Sequence, residues 1–167
     1  MLYDIIEAQC YTEDVQKATR IVIGTDHAGY TLKEILKEHC RKNGIDVIDE
    51  GTFSEDPVDY PAFGKKVAGV MLTEKIPGVF LGGSGLGECM VGNKIPGIRA
   101  ARCATVEDVE LTRKHNDANM LCLGGRTMDP ELAKKVLDAF LSTSFEGGRH
   151  EKRLQQMHEM DHYPYPL

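Results

Sequence analysis

From residue 21 onward, short apolar runs alternate with segments in which apolar residues recur at helical spacing, and this alternation limits the possible folds more than any other feature. Five runs predict strands, at residues 21–24, 45–48, 79–81, 98–103 and 120–123. The runs at 21–24, 79–81 and 120–123 have no polar residue, which is typical of strands covered on both faces in a parallel sheet. The sequence therefore predicts an α/β fold with a doubly wound, Rossmann-like sheet of five parallel strands.

Capping signals mark two of the intervening helices. Thr105 with Asp108 has the spacing of a capping box, and Asp129 followed by Pro130 is a strong helix start. We expect one helix to begin after each pair.

The length of 167 residues suits a single domain, predicted over residues 21–167 and preceded by an N-terminal extension at residues 1–20. A terminal helix is predicted after Gly147 and Gly148, with a basic start and few apolar residues. We therefore expect it to reach a partner subunit rather than the core of its own chain.

Composition excludes several classes of partner. The formal net charge of −6 and the pI near 5.5 argue against nucleic acids and anionic membranes, because both require a basic face. Apolar runs are much shorter than a membrane span, and the N-terminus lacks the pattern of a secretory signal, so a cytoplasmic location is expected. The five cysteines include no C-x-x-C pair, which indicates neither a disulfide framework nor a zinc site.

The most distinctive motif is the glycine-rich loop at residues 82–87, directly after the third predicted strand. Glycines there allow consecutive backbone N–H groups to turn toward one point and form an anion-binding nest. The carboxylate of Glu88 follows this nest, where it would repel a bound anion but could remove a proton beside a developing oxyanion. The motif therefore predicts proton transfer on a small polar substrate.

Polar residues also follow other predicted strands. Asp26 and His27 follow the first strand and Arg126 follows the fifth, so we expect them to meet the glycine-rich loop at the carboxyl edge of the sheet. His115 and Asn116 instead lie between a helix and the next strand, which places them at the opposite edge. They can be catalytic only if a second subunit delivers them, and this predicts an active site at a subunit interface.

These motifs together resemble one family. The matching stretches, in unbroken order, are residues 26–29, 58–61, 83–87, 93–100, 115–119 and 147–150. They look like the type B ribose-5-phosphate isomerases, a family that also includes the subunits of galactose-6-phosphate isomerase. The resemblance implies interconversion of ribose 5-phosphate and ribulose 5-phosphate through an enediolate, with no metal and no organic cofactor.

The resemblance also implies roles for individual residues. Asp26 and His115 would open the sugar ring, and Ser84 lies inside the nest that would stabilise the enediolate. The other nest residues expected to bind substrate are Gly83, Gly85, Leu86 and Gly87. The phosphate would be held by His27, Arg126, Arg149 and Arg153. The sugar hydroxyls would be oriented by Asn116 and Tyr60.

The sequence departs from the common family pattern at the base. Many members have a cysteine directly after the third strand, at the first position of this loop, whereas this chain has Gly82. Another branch uses a glutamate on the far side of the loop, the position of Glu88. We therefore predict Glu88 as the base, with Cys89 as the alternative, and expect burial to raise the pKa of Glu88.

Several alternatives stay open at this point. The substrate could be another phosphorylated sugar, such as galactose 6-phosphate, allose 6-phosphate or a tetrose phosphate, and the assembly could be a homodimer or a dimer of dimers. A non-catalytic sugar-phosphate binding protein is a third possibility, although it would need no base. Asp26 alone could be a helix cap, and His115 with Asn116 a helix end.

One sequence match to a metal-binding motif is interpreted as coincidental. His158, Glu159 and His162 have the H-E-x-x-H spacing of a zinc site, but the pattern ends five residues from the C-terminus beside two prolines. A fraying tail explains the pattern better than a metal site.

Overall fold

The computed structural model describes residues 18–161, and within them one sheet of five parallel strands has the order β2-β1-β3-β5-β4. The strands are β1 Arg20–Thr25, β2 Asp46–Asp49, β3 Gly78–Gly82, β4 Ala100–Arg102 and β5 Met120–Gly124. The helices are α1 Tyr30–Lys42, α2 Tyr60–Glu74, α3 Leu86–Gly92, α4 Val106–Asn116, α5 Pro130–Ser142 and α6 Glu151–Met160. Two short 3₁₀ turns cover His27–Gly29 and Gly148–His150. The predicted parallel α/β sheet is confirmed.

Helices cover both faces of this sheet, as the doubly wound prediction requires. On β3, Val79 and Leu81 pack with residues of α1, α4 and α5, whereas Phe80 packs with residues of α2 on the other face. All three β3 side chains are fully buried. Alternation along a strand places successive side chains on opposite faces, so a continuously apolar strand is one with a helical layer on each side.

The predicted helix starts are also confirmed. The Thr105 hydroxyl accepts a hydrogen bond from the Asp108 N–H at 3.0 Å, and the Asp108 carboxylate accepts one from the Thr105 N–H at 3.0 Å. Asp129 caps α5 by accepting from the N–H groups of Glu131 and Leu132. These caps fix where α4 and α5 begin, and α4 ends at residues of the candidate site.

The fourth strand is shorter than the sequence predicts. It pairs only with β5, from Ala100 opposite Met120 to Arg102 opposite Cys122. Ile98 turns into the core instead, after Gly97 adopts a left-handed φ of +82°. An edge strand has ladder partners on one side only, so its ends leave the sheet readily.

The two ends of the predicted domain layout are only partly described. Residues 1–17 of the expected extension, including Cys10, lie outside the described residues, as does His162. Ala18 already donates to the Leu141 carbonyl at 3.4 Å, and β1 begins at Arg20. No residue of α6 is buried, and the chain after it is anchored where the Asp161 carboxylate accepts from the Gly97 N–H at 2.9 Å. Within the described part of the chain, no helix combines the length and apolar character needed to cross a membrane.

Replacing Thr105 with Ala should lower the free energy of unfolding by about 1 kcal/mol, because the first turn of α4 loses one side of its capping box. Urea unfolding of the two proteins measures the difference. Ser144→Ala, an exposed change outside the helices, is the control and should leave the midpoint unchanged. An unchanged midpoint in Thr105→Ala would contradict the importance of the box.

Candidate active site

The loops that follow β1, β3 and β5 meet at the carboxyl edge of the sheet. These strands are neighbours, and the N–H groups of Gly125 and Arg126 donate to the carbonyls of Gly82 and Gly83 at 2.7 and 3.1 Å. A Cβ on Gly125 would lie 2.7 Å from the Ala28 carbonyl oxygen, so the loop after β5 also packs against the turn after β1. The predicted convergence of the three loops is confirmed.

Asp26 is held firmly at this edge and is almost fully buried. Its Oδ1 accepts from the N–H groups of Ala28 and Gly29 at 2.8 and 3.3 Å, so it does cap the 3₁₀ turn that follows. Both hydrogen bonds use the same oxygen, and Oδ2 accepts none from the residues described. Capping therefore fixes the orientation of the carboxylate through Oδ1 and leaves Oδ2 available to a ligand.

The ring of His27 is anchored through one nitrogen. Its Nδ1 lies 3.2 Å from the Val58 nitrogen and 3.3 Å from the Val58 carbonyl oxygen. With the Val58 N–H as donor, Nδ1 is the acceptor and the ring proton is on Nε2. The imidazole then presents an N–H donor to an anion at this edge.

The glycine-rich loop depends on its glycines for shape. Gly85 has φ +78°, and a Cβ there would lie 2.9 Å from the Leu123 carbonyl carbon. The Ser84 hydroxyl accepts from the Leu86 N–H at 3.4 Å, inside the loop. A side chain at position 85 would both strain the turn and push the loop off β5.

Glu88 lies in the first turn of α3, and only 4% of it is exposed. A Cβ built on Gly82 would overlap the Glu88 carboxylate, so this carboxylate fills the space that a side chain at position 82 would occupy. Burial raises the pKa of Glu88, and the nearby charge of Asp26 adds to the increase. The N–H groups of Glu88 and Gly85 act in the opposite direction, which shows that the carboxylate itself faces part of the nest.

Cys89, the alternative base, points away from this group. Its Sγ donates to the Ala100 carbonyl at 3.3 Å and accepts from the Asn93 side chain at 3.5 Å, so it lies against β4. A hydrogen bond from Cys122 lowers the pKa of Cys89 to about 6 despite its partial burial. A low pKa alone does not make a base, because the group must also reach the proton that it removes. Cys40, Cys103 and Cys122 are buried in the core.

Two further predicted residues border the glycine-rich loop. A Cβ on Gly87 would lie 2.9 Å from the Tyr60 ring, and a Cβ on Gly83 would lie 3.8 Å from the Arg126 guanidinium. Tyr60 is the first residue of α2, and Arg126 is exposed. Leu86 is also exposed. We call Asp26, His27, Tyr60, residues 83–88 and Arg126 the carboxyl-edge group.

The other predicted residues lie at the opposite edge. His115 and Asn116 end α4, and the Asn119 carbonyl, three residues later, accepts from the Gly78 N–H at the start of β3. The His115 ring stacks on His150, with centroids 4.5 Å apart and planes at 11°. Arg149 is on the same 3₁₀ turn as His150, and its Nε–H donates to His150 Nε2 at 3.4 Å.

Arg153 lies in the first turn of α6, and its charge acts on His150 together with that of Arg149. We call His115, Asn116, Glu146, Arg149, His150 and Arg153 the amino-edge group.

Sequence reasoning assigned no function to His150 or Glu146. His150 was visible only as part of the Gly-Gly-Arg-His stretch, and its contact with His115 joins positions 35 residues apart. The local signal that could have indicated a role for His150 is its position after a Gly-Gly turn and between Arg149 and Arg153. Asn119, by contrast, has the structural role expected of a turn residue, because its side chain bridges Gly97 and Arg99.

One cluster in the described residues has the composition of a metal site. Potential ligand atoms of His115, Glu146 and His150 all lie within 4.8 Å of one another. The Arg149 guanidinium, however, donates to the His150 nitrogen, and Arg153 adds a second positive charge. The positive charges of Arg149 and Arg153 repel a divalent cation and attract an anion. His158 of the H-E-x-x-H pattern is exposed at the end of α6.

Comparisons with known proteins agree with this geometry. Residues 21–157 match the profile of the family described as Ribose/Galactose Isomerase. A ribose-5-phosphate isomerase B of Escherichia coli is 39% identical over 137 residues, covering 81% of this chain and 92% of the relative. The crystal structure of a ribose 5-phosphate isomerase of Thermotoga maritima has a TM-score of 0.83 and 45% identity, covering 84% of this chain and 98% of the other.

A ribose-5-phosphate isomerase B of Mycoplasma genitalium, with bound ribulose-5-phosphate, has a TM-score of 0.81 and 35% identity. It covers 85% of this chain and 95% of the other.

The electrostatics of Glu88 can be tested directly by carbon-13 NMR titration of its carboxyl group. The pKa of Glu88 should lie above the ordinary value of 4.5, and it should fall in Asp26→Asn because a neighbouring negative charge is removed. Glu159→Gln, a change at the far end of α6, is the control and should have no effect. A Glu88 pKa that rises or stays constant in Asp26→Asn would contradict the proposed coupling.

Proposed function

This chain belongs to the ribose/galactose isomerase family, and from that premise we propose that it interconverts ribose 5-phosphate and ribulose 5-phosphate with Glu88 as the proton-transfer base. Relatives in this family are named as sugar-phosphate isomerases, and the chain covers more than nine-tenths of the E. coli relative. The observation that carries the assignment of the base is the buried Glu88 carboxylate in the space beside Gly82. The proposed location is the cytoplasm.

The first step is ring opening. Ribose 5-phosphate is a five-membered ring closed between C1 and O4, so the C1 hydroxyl must lose a proton while O4 gains one. Asp26 offers Oδ2, and His115 offers an imidazole ring that can both take up and give a proton. An acid and a base on either side of the ring suit this exchange.

The second step moves one proton between neighbouring carbons. Glu88 removes the proton from C2, and O1 takes the negative charge of the resulting enediolate. The C2 hydroxyl proton then passes to O1, C2 becomes the carbonyl carbon, and the same carboxyl of Glu88 returns its proton to C1. Burial and the Asp26 charge raise the pKa of Glu88, which makes its carboxylate a stronger base for a weak carbon acid. The carboxylic acid formed in this step is the species that burial favours.

The enediolate requires donors that already point at the developing negative charge. The N–H groups of Gly83 to Gly87 and the Ser84 hydroxyl are the proposed donors. In the absence of substrate, the Gly85 N–H faces the Glu88 carboxylate. Protonation of Glu88 removes its charge, so this N–H can turn to the enediolate at the moment when the negative charge moves there.

The phosphate is assigned to the cationic residues. His27 and Arg126 come from the carboxyl-edge group, and Arg149 and Arg153 from the amino-edge group. A guanidinium binds phosphate oxygens through parallel N–H donors, so local charge decides phosphate binding despite the net charge of −6. Tyr60 and Asn116 are proposed to orient the sugar hydroxyls.

A second copy of the chain completes this site. Asp26 and Glu88 lie at one edge of the sheet and His115 at the other, so we assign the two groups in one site to different subunits. A two-fold axis would then create two equivalent sites, each with one carboxyl-edge and one amino-edge group. The exposed α6 is proposed to cross to the partner. A homodimer satisfies this arrangement, and so does a dimer of dimers.

Glu88→Gln should lower kcat for isomerisation roughly 10²- to 10⁴-fold, because the amide cannot accept the C2 proton. The assay follows ketose formation from ribose 5-phosphate with a chelator present, since the proposed chemistry uses no metal. Binding of ribulose 5-phosphate, measured by calorimetry, should stay nearly unchanged. Galactose 6-phosphate, allose 6-phosphate and erythrose 4-phosphate are assayed in parallel.

Cys89→Ala is the matched control for this experiment and should keep its activity, because Cys89 faces β4. Normal turnover by Glu88→Gln would exclude Glu88 as the base, and loss of turnover in Cys89→Ala alone would identify the cysteine instead. Turnover of only another sugar would keep the mechanism and change the substrate. Binding without turnover of any sugar by the unmodified chain would support a binding protein.

Mixing two defective variants tests the shared site. A hybrid of Glu88→Gln and His115→Asn subunits would contain one site with both changes and one with neither. Co-expression should therefore restore activity to about a quarter of the unmodified level, since about half of randomly formed dimers are hybrids with one intact site. Activity no higher than the average of the separate variants would place both residues in the same subunit's site.

A further inference from the structure

The ring of the buried His150 stacks on the ring of the more exposed His115. The side chain of His115 is 36% exposed, whereas His150 is only 5% exposed. Their rings are nearly parallel and 4.5 Å apart, so one face of His115 is covered by a ring that has little freedom to move. An exposed side chain at a helix end would otherwise sample several rotamers.

The backbone around His150 holds it against the end of α4. Gly147 and Gly148 have left-handed φ angles of +66° and +58°, which turn the chain back toward α4. The Glu146 N–H donates to the Lys114 carbonyl at 3.0 Å and satisfies one carbonyl in the last turn of that helix. Two separate backbone features therefore fix the distance between the rings.

Charges around His150 favour its neutral form. Burial lowers the pKa of His150, the charges of His115, Arg149 and Arg153 lower it further, and Glu146 opposes them. The Arg149 Nε–H donates to His150 Nε2 at 3.4 Å, which requires a lone pair on that nitrogen. A neutral ring can therefore contact the His115 ring and Arg149 at the same time.

We propose that His150 is a positioning residue: its buried ring holds the His115 imidazole in the plane needed for ring opening, and its Nε2 orients Arg149 toward the substrate phosphate. The proposal rests on the proposed role of His115. The Glu146 carboxylate, 3.9 Å from His115 Nε2, adds a charge that stabilises the imidazolium formed when His115 takes up a proton. His150 itself touches no reacting atom.

The chemistry of the two substrates provides a specific test. Ribose 5-phosphate must be opened, but ribulose 5-phosphate is already open, because its C5 oxygen carries the phosphate and cannot close onto C2. A defect in ring opening therefore slows the reaction from ribose 5-phosphate and spares the reaction from ribulose 5-phosphate, whose open aldose product closes in solution. The ratio of the forward kcat to the reverse kcat, each measured on initial rates at saturating substrate, reports this step. The ratio of the two kcat/KM values does not, because the equilibrium constant fixes it.

Two substitutions separate the two functions of His150. His150→Leu removes the flat ring and should lower the ratio roughly 10- to 100-fold, as expected for a misplaced catalytic group. His150→Phe keeps a flat ring but cannot accept from Arg149, so it should preserve the ratio and raise KM in both directions. Lys152→Gln, on the exposed start of α6, is the control and should change neither quantity. Circular dichroism confirms that the variants are folded.

Each failure has its own pattern. If His150→Leu has the same ratio as the unmodified chain, the positioning role is wrong. It is also wrong if His150→Leu and His150→Phe lose activity equally in both directions, because that result indicates a purely structural residue. His115→Asn is measured alongside and should lower the ratio. If His115→Asn leaves the ratio unchanged, the proposed role of His115 fails instead, whatever the result at His150.

Discussion

The direction of the strands is the constraint on which the rest of this molecule depends. In a parallel sheet all strands end at one edge, and the helices between them end at the other. Residues after strands, such as Asp26, therefore cannot meet residues at helix ends, such as His115, within one copy of the fold. A proposed reaction that uses both requires a second copy, so topology makes assembly part of the proposed chemistry.

Within the carboxyl edge, a missing side chain decides the position of the base. Gly82 leaves a space at the end of β3, and the Glu88 carboxylate enters it from the first turn of α3. There burial and the Asp26 charge favour the protonated form, while N–H groups of the loop favour the carboxylate. The net effect raises the pKa of Glu88, which suits a group proposed to take and return the same proton.

Much of this arrangement could be predicted because its signals are local. Strand composition, the Thr105 capping box and Asp129 with Pro130 depend on neighbours in sequence, and the meeting of three loops follows from topology. Contacts between distant side chains could not be predicted. Lys33 is fully buried because Asp49 pairs with its ammonium group and the Phe53 ring covers it, although lysine is among the residues least often buried. The stacking of His150 on His115 is equally invisible in local spacing.

The two edges also differ in charge, and the difference matches a phosphorylated sugar. Asp26 and Glu88 place acids at the carboxyl edge, where protons would move, while Arg149 and Arg153 surround a His150 that stays neutral at the amino edge. Joined across a subunit interface, the arginines would face the dianionic phosphate and the acids the carbons that react. If Arg149 and Arg153 also lay beside Glu88, their charge would lower its pKa and weaken it as a base. The divided site thus adds only His27 and Arg126 to the edge that holds the proposed base. A sugar long enough to span both groups would bring the partner's arginines to its phosphate.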